Sequence, residues 1–172
     1  MKETLLDLKN RRSCRNYKPD QITDEELHLI LEAGTFAPTG KGLQSPIMVV
    51  VQDKETISLL SKLNASVMGS DNDPFYGAPT VVIVLADTSC STYREDGSLV
   101  MGNLMNAAYA IGVDSCWINR AREVFEMPEG KALLAKWGIS EQYAGIGNCI
   151  LGYAATPLAE AKPRKADYII RV

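Results

Sequence analysis

The chain has one histidine, His28, in 172 residues, and none of its four cysteines, Cys14, Cys90, Cys116 and Cys149, forms a C-x-x-C pair. These scarcities exclude several classes of chemistry. A structural zinc site draws on clustered Cys and His ligands, and this spacing supplies none. A serine or cysteine protease needs an imidazole beside its nucleophile. His28 follows two carboxylates on a predicted helix and reads as solvated or interfacial. A disulfide framework is not expected in a chain this long without an export signal. The thiols therefore read as reduced, with at least two buried near Trp117 and Ile150. No apolar run approaches the roughly 20 residues that span a bilayer. The opening "MKETLLDLKN" alternates charge with leucine instead of forming a signal-peptide core. A cytoplasmic protein without membrane contact is the expectation. The formal net charge of -3 argues against the broadly basic face that nucleic acid requires. Repeats and low-complexity segments are missing as well.

What is present suits a single soluble domain, since 172 residues with 46% hydrophobic content can bury a substantial core. Residues 2–10 read as a short amphipathic helix. In "TDEELHLILEAG", Thr23 and Glu26 form a capping box, and Leu27, Ile30, Leu31 and Gly34 follow at helical spacing. "APTGKGLQSP" is a turn-rich loop, "PIMVVVQ" a buried strand and "DKETISLLSKLNA" an amphipathic helix. "VMGSDNDPFYGAP" reads as irregular and exposed, and "TVVIVLAD" as a second buried strand. From Ser98 to Ile111 the helical pattern is apolar on nearly every face, which belongs in a core or an interface. "SCWIN" is a short strand, "MPEGKALLAKWG" a helix opened by Pro128 and closed by Gly138, and "AGIGNCILGYA" another apolar strand. The expected organisation is a core over residues 1–154 and an extended arm over 155–172 that lies on a second copy of the chain. Helices and strands interleave without strict βαβ regularity, so the pattern allows either an α/β or an α+β single sheet wrapped by helices.

Two glycine-rich stretches fail as nucleotide motifs. "GTFAPTGKG" has one residue too many between Gly34 and Gly40 for a P-loop, and Gly42 stands where a hydroxyl should hold magnesium. "GIGNCILG" is followed by strand rather than helix, unlike a dinucleotide fingerprint. No acid–base pair or nucleophilic triad is evident, so an enzyme of this sequence would rely on a cofactor. "RRSCRNYKP" is the exception to the acidic balance: Arg11, Arg12, Arg15 and Lys18 fall within eight residues. Such a run is a solvated turn or a phosphate site, because guanidinium forks and a serine hydroxyl suit phosphate oxygens. Lys162, Arg164 and Lys165 in "KPRK" form a second cationic cluster.

In order along the chain, "RRSCRNYKP", "LEAGTFAPTGKGLQSP", "PFYGAP", "NAAYAIGVDSCWI" and "KPRK" resemble the FMN-dependent nitroreductase-like family. The resemblance implies an α+β fold with a central mixed sheet wrapped by helices, built as an arm-exchanged homodimer with FMN at the interface. It implies that Arg11, Arg12 and Ser13 grip the FMN phosphate and ribityl region, with Lys162, Arg164 and Lys165 completing the clamp from the tail. Arg15 would lie at the pyrimidine edge and stabilise the reduced flavin. Pro38, Thr39 and Gly40 match a loop laid against the flavin from the partner protomer, with Gln44 just beyond it as a further cofactor contact, and Trp117, Ile118 and Asn119 match the segment passing N5. The implied activity is NAD(P)H oxidoreduction. Hydride passes through flavin N5 in a ping-pong cycle to a small acceptor such as a nitroaromatic, a quinone or an activated alkene. A flavin store or redox sensor with little turnover is the alternative. Where many relatives carry asparagine this chain has Gly42, and where many carry proline–tryptophan it has Ser45 and Pro46. Arg120 occupies a place often held by glycine. Asn64 and Asn72 are the candidates for a helix-borne flavin contact.

Overall fold

A computed structural model describes residues 2–172; Met1, the start of the expected core, lies outside the described residues. Among the described residues six α-helices and four strands follow one another: α1 (Glu3–Asn10), α2 (Asp24–Thr35), β1 (Pro46–Val51), α3 (Lys54–Met68), β2 (Thr80–Asp87), α4 (Tyr93–Ala110), β3 (Asp114–Ile118), α5 (Ala121–Glu126), α6 (Pro128–Lys136) and β4 (Tyr143–Gly152), with a single 3-10 turn at Gly40–Gly42. The strands form one sheet in the order β1-β2-β4-β3.

The expected mixed sheet is corrected: every pairing between these strands is antiparallel. The reason lies in the β1–β2 connection. α3 leads the chain away from the end of β1, and residues 69–79 double back along it, tied by the Ser61 hydroxyl donating to Asp73 at 2.6 Å. β2 therefore starts beside the end of β1, with Val51 opposite Val81, and must run the other way. The expected irregular segment is largely exposed, as at Asn72 and Tyr76, but the same tie turns Phe75 and Ala78 inward, where they are buried.

β2 and β4 fill the middle of the sheet and read as continuous apolar runs because both faces are covered. Alternation divides their side chains between two cores. Val81, Ile83, Leu85 and Ile150 face α3, α5 and α6 through Leu60, Leu63, Val124, Phe125 and Leu134. Val82, Val84, Cys149 and Leu151 face α2 and α4 through Ile30, Met101 and Leu104. α4 begins at Tyr93, earlier than its apolar stretch suggests, because Asp96 in its first turn is buried instead of solvated. α2 packs closely on α4 at Gly34, where a Cβ would come within 2.9 Å of Leu104 Cδ2.

Local signals set the ends of the helices. Thr23 accepts from the Glu26 amide and the Glu26 carboxylate accepts from the Thr23 amide, completing the capping box. Pro128 opens α6 as expected. α5 was not expected: its N-cap is Arg120, which offers no side-chain cap for sequence reasoning to detect. No helix among the described residues is long and apolar enough to cross a membrane.

Candidate functional site

The basic stretch runs along the outer edge of β3. Ser13 forms a parallel bridge with Ser115, the Cys14 amide donates to the Ser115 carbonyl at 3.0 Å, and Tyr17 bridges Ala154. Cys14 and Tyr17 point into the core, where the Tyr17 hydroxyl donates to the Cys14 carbonyl at 3.2 Å. Apolar surroundings push both the Cys14 thiol and the Tyr17 phenol above their ordinary values. The residues between these anchors turn outward, and Arg15 is exposed.

Arg11 and Arg12 behave differently. Nη1 of Arg12 donates to the carbonyls of Lys9 at 2.7 Å and Arg11 at 2.6 Å, which fixes the guanidinium. Nε of Arg12 and Nη1 of Arg11 are nevertheless buried without a hydrogen-bond partner, as are Ser115 Oγ and Trp117 Nε1 on β3. A buried, unmatched guanidinium donor costs about 1–3 kcal/mol or more, so these donors are open to an acceptor. Arg11 also lies close enough to Cys149 to oppose the effect of burial, which pushes that thiol up to about 12.

Residues 38–44 project from the end of α2 in a conformation that needs support. Lys41, Gly42 and Gln44 all hold positive φ, at 54°, 66° and 52°. Each non-glycine residue so held costs on the order of 1 kcal/mol. Asp96, only 2% exposed, supplies the support. Its carboxylate accepts from the Gly40 amide at 2.9 Å, the Ser45 hydroxyl at 2.9 Å and the Thr92 hydroxyl at 3.2 Å. Gly40 itself lies against Thr92, leaving no room for a Cβ. Thr39 accepts from the Gln44 amide at 3.0 Å, closing the loop on itself. Pro38 and Gln44 face solvent, along with Phe36, 78% exposed, and Leu43.

At the far end of β3 the backbone of Trp117, Ile118 and Asn119 is held by two asparagines. Asn64 on α3, 1% exposed, donates to the Asn119 carbonyl at 2.8 Å and keeps a buried Oδ1 without a partner. Asn148 on β4 donates to the Ile118 carbonyl at 3.5 Å. Trp117 lies over Gly147, where a Cβ would come within 2.6 Å of the indole nitrogen. Of the two helix candidates, Asn64 is thus in place at this segment, while Asn72 is exposed in the 69–79 loop. Asp96 and Asn148 escaped the sequence reading, because a carboxylate in a helix and an asparagine in a strand give no periodic signal.

The tail is irregular and, beyond Leu158, exposed throughout. Ala155 donates to the Asn16 carbonyl and Leu158 packs on the core, but among the described residues of one chain no ion pair or hydrogen bond brings Lys162, Arg164 or Lys165 to Arg11. Lys165 pairs instead with Asp167 at 3.9 Å. Tyr168, Ile169, Ile170 and Val172 are left uncovered.

Comparison with known proteins gives this geometry its context. A nitroreductase of Bacteroides fragilis solved with bound FMN superposes with a TM-score of 0.92 over 100% of both chains, at 31% identity. A second FMN-bound nitroreductase, from Desulfitobacterium hafniense, gives 0.89 at 26% identity over 100% of this chain and 99% of that one. A protein of Archaeoglobus fulgidus provisionally named NADH dehydrogenase/NAD(P)H nitroreductase is 31% identical over 159 residues, covering 89% of this chain and 86% of its own length. The profile of the Nitroreductase family matches residues 8–153. With that match over most of its length, and with the α+β fold of its FMN-bound neighbours, the chain belongs to the Nitroreductase family.

Proposed function

We propose that this protein is an FMN-dependent NAD(P)H oxidoreductase that reduces small acceptors such as nitroaromatics, quinones or activated alkenes. The observation that carries the reading is the pair of buried donors without acceptors, Arg11 Nη1 and Arg12 Nε, at the edge of β3. Two guanidinium groups, that of Arg12 fixed by backbone carbonyls, next to Ser13 in the chain suit a phosphate dianion. FMN supplies the two-electron chemistry between NAD(P)H and the acceptor when bound.

The chain's own residues bind, orient and exclude water. Arg11, Arg12 and Ser13 hold the phosphate. Arg15 sets a fixed positive charge at the pyrimidine edge, where charge on the reduced ring needs a counterpart. Asn64 and Asn148 fix the backbone at Ile118 and Asn119 so that its polar groups keep one orientation beside the ring. Asp96 holds the strained loop bearing Pro38, Thr39, Gly40 and Gln44 in a shape ready to face a second copy.

A homodimer completes the site in this reading, with residues 155–172 as the arm laid on the partner and Lys162, Arg164 and Lys165 closing the phosphate clamp. Support comes from the apolar side chains a single chain leaves bare: Leu5 and Leu8 on α1, Phe36 and Leu43 beside the loop, and Ile169 and Ile170 in the tail. The test is an absorption spectrum of the purified protein followed by anaerobic mixing with NADH or NADPH. Flavin bands that bleach within the turnover time support the enzyme. Bands that persist indicate a store, and a colourless protein that takes up no FMN overturns the reading.

A further inference from the structure

A second concentration of positive charge lies where β3 gives way to α5. Arg120, next after Asn119, holds φ 77° and ψ 11°, a left-handed conformation that disfavours any residue with a side chain. A cleft of about 440 Å³ opens at this turn, bounded by the start of α4, the turn itself and Ile146 of β4. Ile146 is the extra residue of a bulge, since Val84 pairs with Gly147 and Leu85 with Gly145. Arg94, Arg120 and Arg122 line the cleft against one carboxylate, Glu123. Arg94 is oriented by Tyr93, with Nε on the phenol oxygen at 2.8 Å and the guanidinium over the ring at 5.4 Å. Arg122 is paired with Glu126 at 3.3 Å. The Arg120 carbonyl accepts from the Val124 amide at 3.0 Å, but its guanidinium has no hydrogen-bond or ion-pair partner among the described residues.

Arg120 is exposed, so its left-handed backbone holds an unpaired guanidinium at the mouth of a net-positive cleft, where an anion can reach it. The cleft is also fixed in position, because the neighbouring Asn119 carbonyl is held by Asn64. From this geometry we infer that the cleft recognises a carboxylate or phosphate group on a substrate docking beside the flavin, with Arg120 as the specificity-determining residue. The inference rests on the flavin reading above. A planar guanidinium fork suits both anions. The anion belongs either to the phosphates of the dinucleotide donor or to a carboxylate on the acceptor, and the two half-reactions separate these sources.

The variant is Arg120→Gly, because glycine adopts positive φ without strain and keeps the backbone. The reductive half-reaction is followed with NADH and NADPH, and the oxidative half-reaction with 4-nitrobenzoate and its uncharged counterpart 4-nitrobenzamide. A loss of about tenfold in kcat/KM is expected. It falls on 4-nitrobenzoate and spares the amide if the acceptor carries the anion. It falls on the dinucleotides and spares both acceptors if the donor does. Arg120→Lys retains part of the effect, and the affected rate constant of the wild type drops as salt rises. A yellow variant in which charged and uncharged acceptors change alike and the dinucleotide rates hold overturns the inference alone. A colourless wild-type protein that takes up no FMN overturns the flavin reading and the inference with it.

Discussion

Replacing Arg11 with alanine acts in opposite directions on the two states of the protein. In the flavin-free chain Nη1 of Arg11 is buried with no acceptor, so truncation removes a desolvated donor that costs about 1–3 kcal/mol. It also removes the packing of the aliphatic stem, worth about 1–2 kcal/mol. The two effects nearly cancel, and flavin-free Arg11→Ala should unfold within about 1 kcal/mol of the wild type. In the flavin-bound protein the same change removes a charge-assisted contact to phosphate worth about 1.5–3 kcal/mol, which weakens FMN binding roughly ten- to a hundredfold. FMN titration of the flavin-free protein gives the affinity. Denaturant melts with and without saturating FMN give the stabilisation, which follows the ratio of free ligand to Kd. An unchanged affinity would refute the assignment. So would a flavin-free variant destabilised by several kcal/mol, which would make Arg11 a packing residue.

Removing residues 162–172 should give a protein that purifies without flavin and sediments as a smaller species; a yellow truncate of unchanged size would show the tail to be dispensable. Asp96→Ala strands the Gly40 amide and the hydroxyls of Ser45 and Thr92; at about 1 kcal/mol each it should cost about 3 kcal/mol in denaturant melts, with faster proteolysis of residues 38–44. The Tyr153 hydroxyl donates to Glu26 at 2.7 Å, holding the Glu26 carboxyl below its ordinary value and raising the phenol. A depressed carboxyl stabilises the fold above its unfolded pKa, near 4.5, and loses that contribution as pH falls through the lower folded value. Tyr153→Phe should therefore cost about 1 kcal/mol at neutral pH, and stability profiles of the two proteins should converge as the pH falls below the lowered folded value of Glu26.

Elements with local signals could be read directly from the sequence. The Thr23–Glu26 box, Pro128 at the start of α6 and the apolar run of β2 each depend on residues within a few positions of one another. What escaped depended on distant neighbours. The strand order follows from the 69–79 segment doubling back, which Asp73 secures through Ser61 and the amides of Phe75 and Gly77. Asp96 reads as a solvated helix carboxylate until its partners at Gly40 and Ser45 are brought over it. Asn64 shows its place only once α3 lies beside Asn119. At the candidate site, residue chemistry alone left "RRS" open between a solvated turn and a phosphate site; the buried donors of Arg11 and Arg12 emerge only in the fold. The cleft at Arg120 depends on a bulge in one strand and a left-handed turn after another, and neither leaves a pattern in the chain.

The lining of β3 by residues 11–17 has a consequence for handling the protein. This segment is fastened to the sheet by two isolated bridges, Ser13 to Ser115 and Tyr17 to Ala154, and its arginines are at ease only when an anion answers them. In a preparation stripped of flavin the unanswered donors of Arg11 and Arg12 weaken its hold, and wherever the segment parts from the sheet the edge of β3 presents bare amides and carbonyls to its neighbours. Clouding on storage should accordingly follow loss of colour, and inorganic phosphate in the buffer should delay it.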